Sequence, residues 1–484
     1  MKPFYKLLLA ILVATPAMAW AQESQQQSQS STFTLEQCIQ YALENSTNLK
    51  NSVIDESIAD SKVRETRGIG LPQISGNVTL MDNTKLQRMF FQTGPETFVG
   101  DIPGIKSGSV ISQPNIFQQR SSGTATVTVN QILFNGSYLV GLKASKSYRD
   151  LATKSTNLTK EQIIQNVSKA YYGVVINKER TKLFTTNIGR VDSLLRSTKA
   201  LHMNGFAEGI DVDRIQVTLN NLITERDKFL NLDELSRELL KFQMNYPMDN
   251  SIDVVGTISE VELVQNLETY KEGWDYKNRP DYSILEANKA LQELNIKNVR
   301  AGSLPSLSAF GNFGYSTQSN NVMGLFKTNS SLQNASPEVQ SRFSADKWFN
   351  YSNYGLVLSV PIFTGFQQKN KIQQQKLSLV KIENNEKLLR SSIDLETKQA
   401  LIVYGNALKT LQSQKENMDL ATNIARITKI KYEQGVGSNI EVIDAESSLK
   451  EAQTNYYGAL YDAALAKVDL DKAYGKLTPQ TQTK

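Results

Sequence analysis

Residues 434–473 read QGVGSNIEVIDAESSLKEAQTNYYGALYDAALAKVDLDKA. Within them Val442, Ala445, Leu449, Ala452, Tyr456, Ala459, Ala463, Ala466, Leu470 and Ala473 recur on alternating steps of three and four. That spacing keeps one apolar seam along a helix that packs lengthwise on another. So much alanine in the seam predicts helices that approach closely. No proline interrupts the chain between Pro361 and Pro479, so helix can run on both sides of the glycine turn from Gln434 to Asn439. Glu441 falls in the first turn of the second helix, where a carboxylate suits the positive end. The segment predicts a helical hairpin with tip glycines Gly435 and Gly437.

A second hairpin lies upstream. The chain is also free of proline between Pro114 and Pro247, and Ile163, Val167, Ala170, Val174, Phe184, Ile188, Val191 and Leu195 keep the same seam, with Asn177 and Thr181 as polar lapses. Its turn, Asn204 to Gly209, carries the tip glycines Gly205 and Gly209 and is followed by Asp211. A helix from Tyr138 to Met203 would be about 100 Å long, far beyond the globular average. Such a length points to a rod, a coiled coil or a tube.

Between the helical regions the period changes to two. Ile74, Gly76, Val78 and Leu80 alternate with polar residues, as do Ala125, Val127 and Val129. Leu307, Ala309, Gly311, Phe313 and Tyr315 form a third face, and Tyr354, Leu356, Leu358, Val360 and Ile362 a fourth. These predict strand pairs at about 72–82 with 124–134 and about 305–315 with 353–363. Pro72, Gly136, Pro305, Pro361 and Gly365 mark the strand–helix junctions. The polar insertions Asp82 to Gly123 and Ser316 to Asn353 read as long exposed loops. Leu71-Pro72-Gln73-Ile74-Ser75 matches Leu304-Pro305-Ser306-Leu307-Ser308, Leu133-Phe134-Asn135-Gly136 matches Ile362-Phe363-Thr364-Gly365, and Gly205 to Asp211 matches Gly435 to Glu441. One order and one offset of about 230 positions identify a tandem duplication.

The expected division is therefore a signal peptide (1–21), a disordered Gln/Ser-rich start (22–32), a first repeat (33–246), a connecting equatorial segment (247–280), a second repeat (281–475) and a polar tail (476–484). Length alone would allow about three ordinary domains, a division the duplication overrides. For the amino terminus, Lys2 and Lys6 precede the apolar run Leu7 to Ala14 and the small-x-small site Ala19-Trp20-Ala21, the pattern of a secretory signal. A retained anchor is the alternative, but it needs about 20 apolar residues.

Composition excludes several functions. One histidine (His202) and one cysteine (Cys38) leave no His/Cys zinc site and no intrachain disulfide. No cofactor is implied. Cys38 sits in the apolar rhythm of Leu35, Ile39 and Leu43 and reads as a core residue. The formal charge of +5, or +3 without Lys2 and Lys6, is too small a bias for a nucleic-acid partner. No later segment has the length and apolarity of a membrane helix, and mean hydropathy is −0.36. An exported chain of this kind is periplasmic, secreted or a β-barrel of the outer membrane. Four amphipathic strands cannot close a barrel alone, since such barrels begin at about eight strands. The chain must oligomerise.

At this point Thr34 to Ser46, the Leu-Pro-x-(Ile/Leu)-Ser strand starts, the Phe-x-Gly strand exits, Tyr432 to Gly435 and Ile440 to Ala445 together resemble the TolC-like outer-membrane efflux proteins, over about residues 33 to 475. The resemblance implies a mainly α fold with a membrane β part. In it, the duplicated strand-pair and hairpin unit trimerises into a 12-stranded β-barrel continuous with an α-helical barrel. It further implies a homotrimer in outer-membrane lipid, with a periplasmic adaptor (membrane fusion) protein and an inner-membrane transporter of RND or ABC type as partners. The function implied is a passive gated export duct in tripartite efflux or type I secretion. By position, Glu441 and Asp444 resemble the family's acidic pore constriction at the periplasmic tip. Residue spacing puts both carboxylates on one helix face; a first-turn acid and a solvated surface acid are the plainer alternative. Tyr432 and Asp211 resemble partners in the lock that holds the tip shut. The basic residue some relatives carry before the acidic pair is replaced here around Gly437-Ser438-Asn439, so Asp213 and Arg214 enter as further lock candidates.

Other readings are weaker. Gly435-Val436-Gly437 has part of a phosphate-loop pattern but joins helix to helix without a preceding strand. Phe310, Tyr315, Trp348, Tyr351, Tyr354 and Phe363 suit either interfacial girdles or ordinary barrel packing. A trimeric surface-anchored adhesin is the alternative function; an enzyme with paired carboxylates, such as a glycosidase, would need a concave site.

Overall fold

The computed structural model describes residues 31–259, 263, 267–270, 272, 274–326, 336–338 and 348–477. The expected signal peptide, nearly all of the Gln/Ser-rich start, much of the second insertion and the end of the polar tail lie outside the described residues. In chain order the elements are β1 (Ser31–Phe33), α1 (Leu35–Asn45), α2 (Thr47–Ile69), β2 (Gln73–Asp82), β3 (Arg88–Gln92), β4 (Val110–Pro114), β5 (Ser121–Phe134), α3 (Gly136–Met203), α4 (Gly209–Met244) and β6 (Ile252–Val254). There follow α5 (Pro280–Ala301), β7 (Ser306–Ser319), β8 (Phe349–Ser359), α6 (Gln367–Glu433) and α7 (Asn439–Ala473), with short 3-10 turns between β6 and α5 and after β7. The chain divides into two compact units. One comprises residues up to Ser46 with Asn166–Val264 and Ala407–Leu465, the other Thr47–Gln165, Gln265–Asn406 and Ala466 onward.

In the first unit Thr34 caps α1. Its hydroxyl accepts from the Gln37 amide while the Gln37 side chain accepts from the Thr34 amide, so two otherwise unpaired donors are satisfied. β1 pairs in parallel with β6, and Phe33, Tyr41 and Tyr246 pack with ring centroids 5.4–5.9 Å apart. Cys38 is fully buried; burial first, then Glu36, pushes its thiol up to about 12, so it stays protonated and serves as packing.

The seam residues of α3 form the core of this unit. Phe184, Val191 and Leu195 pack with Ile215, Leu219 and Leu222 of α4 and Val442 of α7, and the Phe184 and Phe229 rings stack at 5.1 Å. Higher in the seam Ile176 packs on Ala459, Ala463 and Ala464; their small side chains let α7 come close. The lapse at Asn177 is a bond to the neighbouring helix, its amide donating to the Leu232 carbonyl at 3.3 Å. Thr181 donates back to the Asn177 carbonyl. Polar cross-links fix the register: Asn187 donates to Gln453 and Arg190 to Glu446, each at 3.0 Å. The Glu446 side chain is only 10% exposed. Glu446→Ala is therefore expected to cost about 1–3 kcal/mol in an unfolding titration, because Arg190 would lose a charge-assisted bond in a nearly dry seam; Glu446→Gln should recover part of it.

In the second unit four strands form one antiparallel sheet in the order β2-β5-β7-β8. Residues directly opposite share a face, so the register sorts the side chains. Ile74, Val129, Gly311 and Tyr354 align in one row, and Gly76, Val127, Phe313 and Ser352 in the next. This face is mainly apolar. The other carries rows such as Ser75, Thr128, Asn312 and Asn353, in which Thr128 donates to Asn312 at 2.8 Å and Asn312 to Asn353 at 2.9 Å. β2 and β8 are the outer strands. The apolar side chains near these edges face outward: Val78 is 74% exposed and Tyr354 88%.

Two expectations shift here. The last strand is Phe349–Ser359 rather than about 353–363, because β7 begins at Ser306 opposite Ser359 and neither Pro305 nor Pro361 can donate to a ladder. The first insertion is not loop throughout: β3 and β4 form a hairpin in register Arg88↔Pro114 to Gln92↔Val110. Of the six aromatics, Tyr315 and Tyr354 lie on the apolar face, whereas Phe310 and Tyr351 lie on the polar one. Trp348 donates to the Leu325 carbonyl at 2.9 Å, and Phe363 packs edge-on to Phe366 beyond the strand.

Four helices of this unit meet in a buried polar junction. Arg279, 3% exposed, immediately precedes α5. It donates to Asp281 at 2.8 and 3.1 Å, to Glu396 of α6 at 2.9 Å, and to the carbonyls of Lys472 and Ala473 at the end of α7. Burial opposes its charge, but Asp281 and Glu396 outweigh burial and raise its pKa. α3 contributes Glu161, 1% exposed.

Candidate functional site

The constriction, lock and tip-turn candidates gather at the two hairpin turns, all within the first unit. α3 ends at Met203, and Gly205 adopts φ +78°, a left-handed conformation that glycine takes without strain. The Phe206 amide then reaches back to the Leu201 carbonyl at 2.8 Å. At the other turn Gly435 has φ +73° and the Val436 amide donates to the Lys431 carbonyl at 3.0 Å. Both are six-to-one closures of a helix end, and each atom has its counterpart 230 positions on. His202 adds a contact to the first turn, its Nδ1 lying 2.8 Å from the Ala207 carbonyl oxygen. Gly209 opens α4. Gly437 is crowded, since a Cβ there would lie 3.1 Å from the Tyr432 amide nitrogen. Ser438 caps α7 by accepting from the Glu441 amide at 3.3 Å.

A cavity of about 1000 Å³ separates the turns and is bordered by Tyr432, Asp211, Arg214 and Asn439. The Tyr432 hydroxyl bonds to the Thr198 hydroxyl at 3.0 Å, tying α6 to α3. Asn439 donates to the Asp211 backbone carbonyl at 3.2 Å, tying one turn to the other. The Asp211 carboxylate turns to Arg214 on its own helix, at 3.9 Å. Tyr432 and Asp211 thus border one cavity but act through different partners, Thr198 and Asn439. Thr198 is fully buried and lies three residues beyond Leu195. That seam position was the available signal for it.

Asp213, Arg214 and Asp444 border a second hollow of about 510 Å³ together with Ile210, Val217 and Ile443. Asp444 and Glu441 are both exposed on α7, and within the chain neither carboxylate forms an ion pair among the described residues. The junction residues fall where the chain changes element: Pro72 and Pro305 directly precede β2 and β7, Gly136 opens α3, Pro361 follows β8, and Gly365 has φ +57° ahead of α6. Phe366 is also left-handed, at φ +62°, a conformation that costs a bulky residue about 1–3 kcal/mol.

Comparison with known proteins gives a consistent likeness. Residues 276–476 match the family model described as outer membrane efflux protein. The outer membrane protein TolC of Vibrio cholerae serotype O1 is 22% identical over 368 residues, covering 74% of this chain and 77% of the relative. Over these stretches the chain is similar to outer membrane efflux proteins. Among solved structures, the outer-membrane channel OprN aligns with a TM-score of 0.68 at 16% identity, covering 92% of this chain and 91% of OprN. The Campylobacter jejuni CmeC outer membrane channel aligns at 0.65 and 17%, covering 98% and 95%. The chain is accordingly placed in the outer membrane and shares its fold with these channels. Among its described residues no helix is long and apolar enough to cross a membrane; the amphipathic sheet is the element with one apolar face and two open edges.

Proposed function

We propose that this chain is the outer-membrane part of an efflux path, a passive, gated export duct that works as a homotrimer, with the four-stranded sheets of three copies closing one 12-stranded barrel. The observation that carries this reading is the sheet itself, apolar on one face, polar on the other, and unpaired along β2 and β8. Unpaired backbone groups cannot remain in lipid, so each β2 must find the β8 of a neighbour. The apolar face then meets lipid and the Thr128-Asn312-Asn353 ladder faces a wet lumen. Substrate passes without chemistry, and the protein is not an enzyme. A periplasmic adaptor and an inner-membrane transporter supply the rest of a tripartite efflux or type I secretion path.

The barrel is tested with paired cysteines, one scanned along β2 around Asn77 and one along β8 around Asn353. Cys38, the only native cysteine, is buried and does not interfere. Oxidation should give covalent species that stop at three chains. An open ladder of larger species, or no cross-link at any pair of positions, would contradict closure. An adhesin reading predicts that protease added to intact cells cuts at Gly205 and Gly435; the duct reading predicts protection.

The gate is placed at the hairpin turns. Glu441 and Asp444 of three copies form the acidic ring, and Tyr432, Asp211, Asp213 and Arg214 belong to the contacts that hold the tip shut. Carboxylates gathered around a narrow pore favour cations. The double variant Glu441→Ala/Asp444→Ala is expected to lower the cation-to-anion permeability ratio at least about two-fold and to weaken block by multivalent cations. Unchanged selectivity would remove both residues from the pore.

A further inference from the structure

Glu161 is 1% exposed and its Oε1 has no hydrogen-bond partner among the described residues. A buried carboxylate in that position would be costly. The charged groups that act on it come from the other elements of its junction: Arg279 and Asp281 at the start of α5, Glu396 on α6 and Lys472 on α7. Other acids of α6 and α7 are engaged elsewhere, Asp394 by the Tyr276 hydroxyl and Asp469 by the Gln165 amide, each at 2.8 Å. The junction therefore holds two cations and three carboxyl groups. Arg279 is committed to Asp281 and Glu396, and Lys472 stands 3.8 Å from Glu396, so Glu161 is the surplus acid. Burial above all pushes its carboxyl up to about 7; Arg279 and Lys472 oppose the rise, and Asp281 and Glu396 add to it.

The end of α7 depends on the same cations. Arg279 donates to the Ala473 carbonyl and shares the Lys472 carbonyl with the Gly475 amide, at a helix terminus where the last carbonyls have no donor within the helix. Beyond them the Tyr474 and Gly475 amides close onto Leu470 and Lys472. We propose that Glu161 is a buried proton switch: as the neutral acid it leaves both cations to Asp281 and Glu396, and on releasing its proton to solvent it draws Arg279 and Lys472 toward itself and loosens the last turn of α7. The sign follows from linkage. A group whose pKa is higher folded than unfolded gives its full stabilisation below the ordinary carboxylate range and loses it as pH rises toward about 7. The junction is tight in acid and looser at mildly alkaline pH.

The test is backbone hydrogen exchange of the full-length protein in detergent at about pH 6 and pH 8, corrected for the intrinsic chemical rate. In the wild type, protection of residues 470–476 should fall several-fold, up to roughly ten-fold, between the two. Glu161→Gln should hold the acidic level at both. A flat wild-type response, or an undiminished response in Glu161→Gln, would overturn the switch. A second measurement stands without the variant: infrared difference spectra of the wild type should show the carbonyl stretch of a protonated buried acid disappearing near neutrality. Its absence would overturn the proposal even where Glu161→Gln fails to fold.

Discussion

Arg279→Ala is expected to destabilise the fold by about 3–5 kcal/mol, the cost of removing one partner from a buried charge cluster. Asp281 and Glu396 would be left without their guanidinium and the Ala473 carbonyl without its donor, while the Lys472 carbonyl would keep only the Gly475 amide. The readout is the denaturant midpoint of the detergent-solubilised protein. Arg279→Lys should recover only part of the loss, since a lysine cannot reproduce the fork that reaches Asp281, Glu396 and the helix end together. A shift below about 1 kcal/mol would mean the cluster is only incidental to stability.

Tyr432→Phe is the largest effect expected on conductance. It removes one hydroxyl–hydroxyl bond, to Thr198, worth about 1 kcal/mol. Three copies opening together would change the balance by about 3 kcal/mol, a shift of roughly 100-fold toward the open state. Thr198→Val should do the same, and the double variant should add nothing further if the two hydroxyls act as one contact. Asp211→Ala is expected to act more weakly, because its link to the opposite turn runs through the backbone carbonyl that Asn439 contacts. Equal or lower conductance in Tyr432→Phe would count against its part in the lock.

The helical half of the fold was legible because periodicity reports burial directly. Val167, Val174, Val442, Leu449, Ala463 and Leu470, all placed in the seam by spacing, are each 2% exposed or less. Asn177, a lapse in that pattern, became intelligible only with the Leu232 carbonyl opposite it. Strand limits were less legible, since alternation continues through Val360 and Ile362 although the partner strand has already ended at Ser306. The β3–β4 hairpin carries too short a pattern in a polar insertion to stand out. At the tip, sequence could place Tyr432 and Asp211 near the turns but not identify their partners, because Thr198 and Asn439 lie 234 and 228 positions away. The Arg279 junction left no sequence signal at all. Its members come from four helices and a connecting segment, and nothing in the spacing of Glu161, Arg279, Glu396 and Lys472 shows that they converge.

The most direct test of the export duct is single-channel conductance of the purified protein in a planar bilayer, with oligomer mass measured on the same sample. A trimer should give small, cation-selective currents that rise when Tyr432 is replaced by phenylalanine. A monomer, or a trimer that stays silent even with the tip substitutions, would mean that the helices enclose no passage.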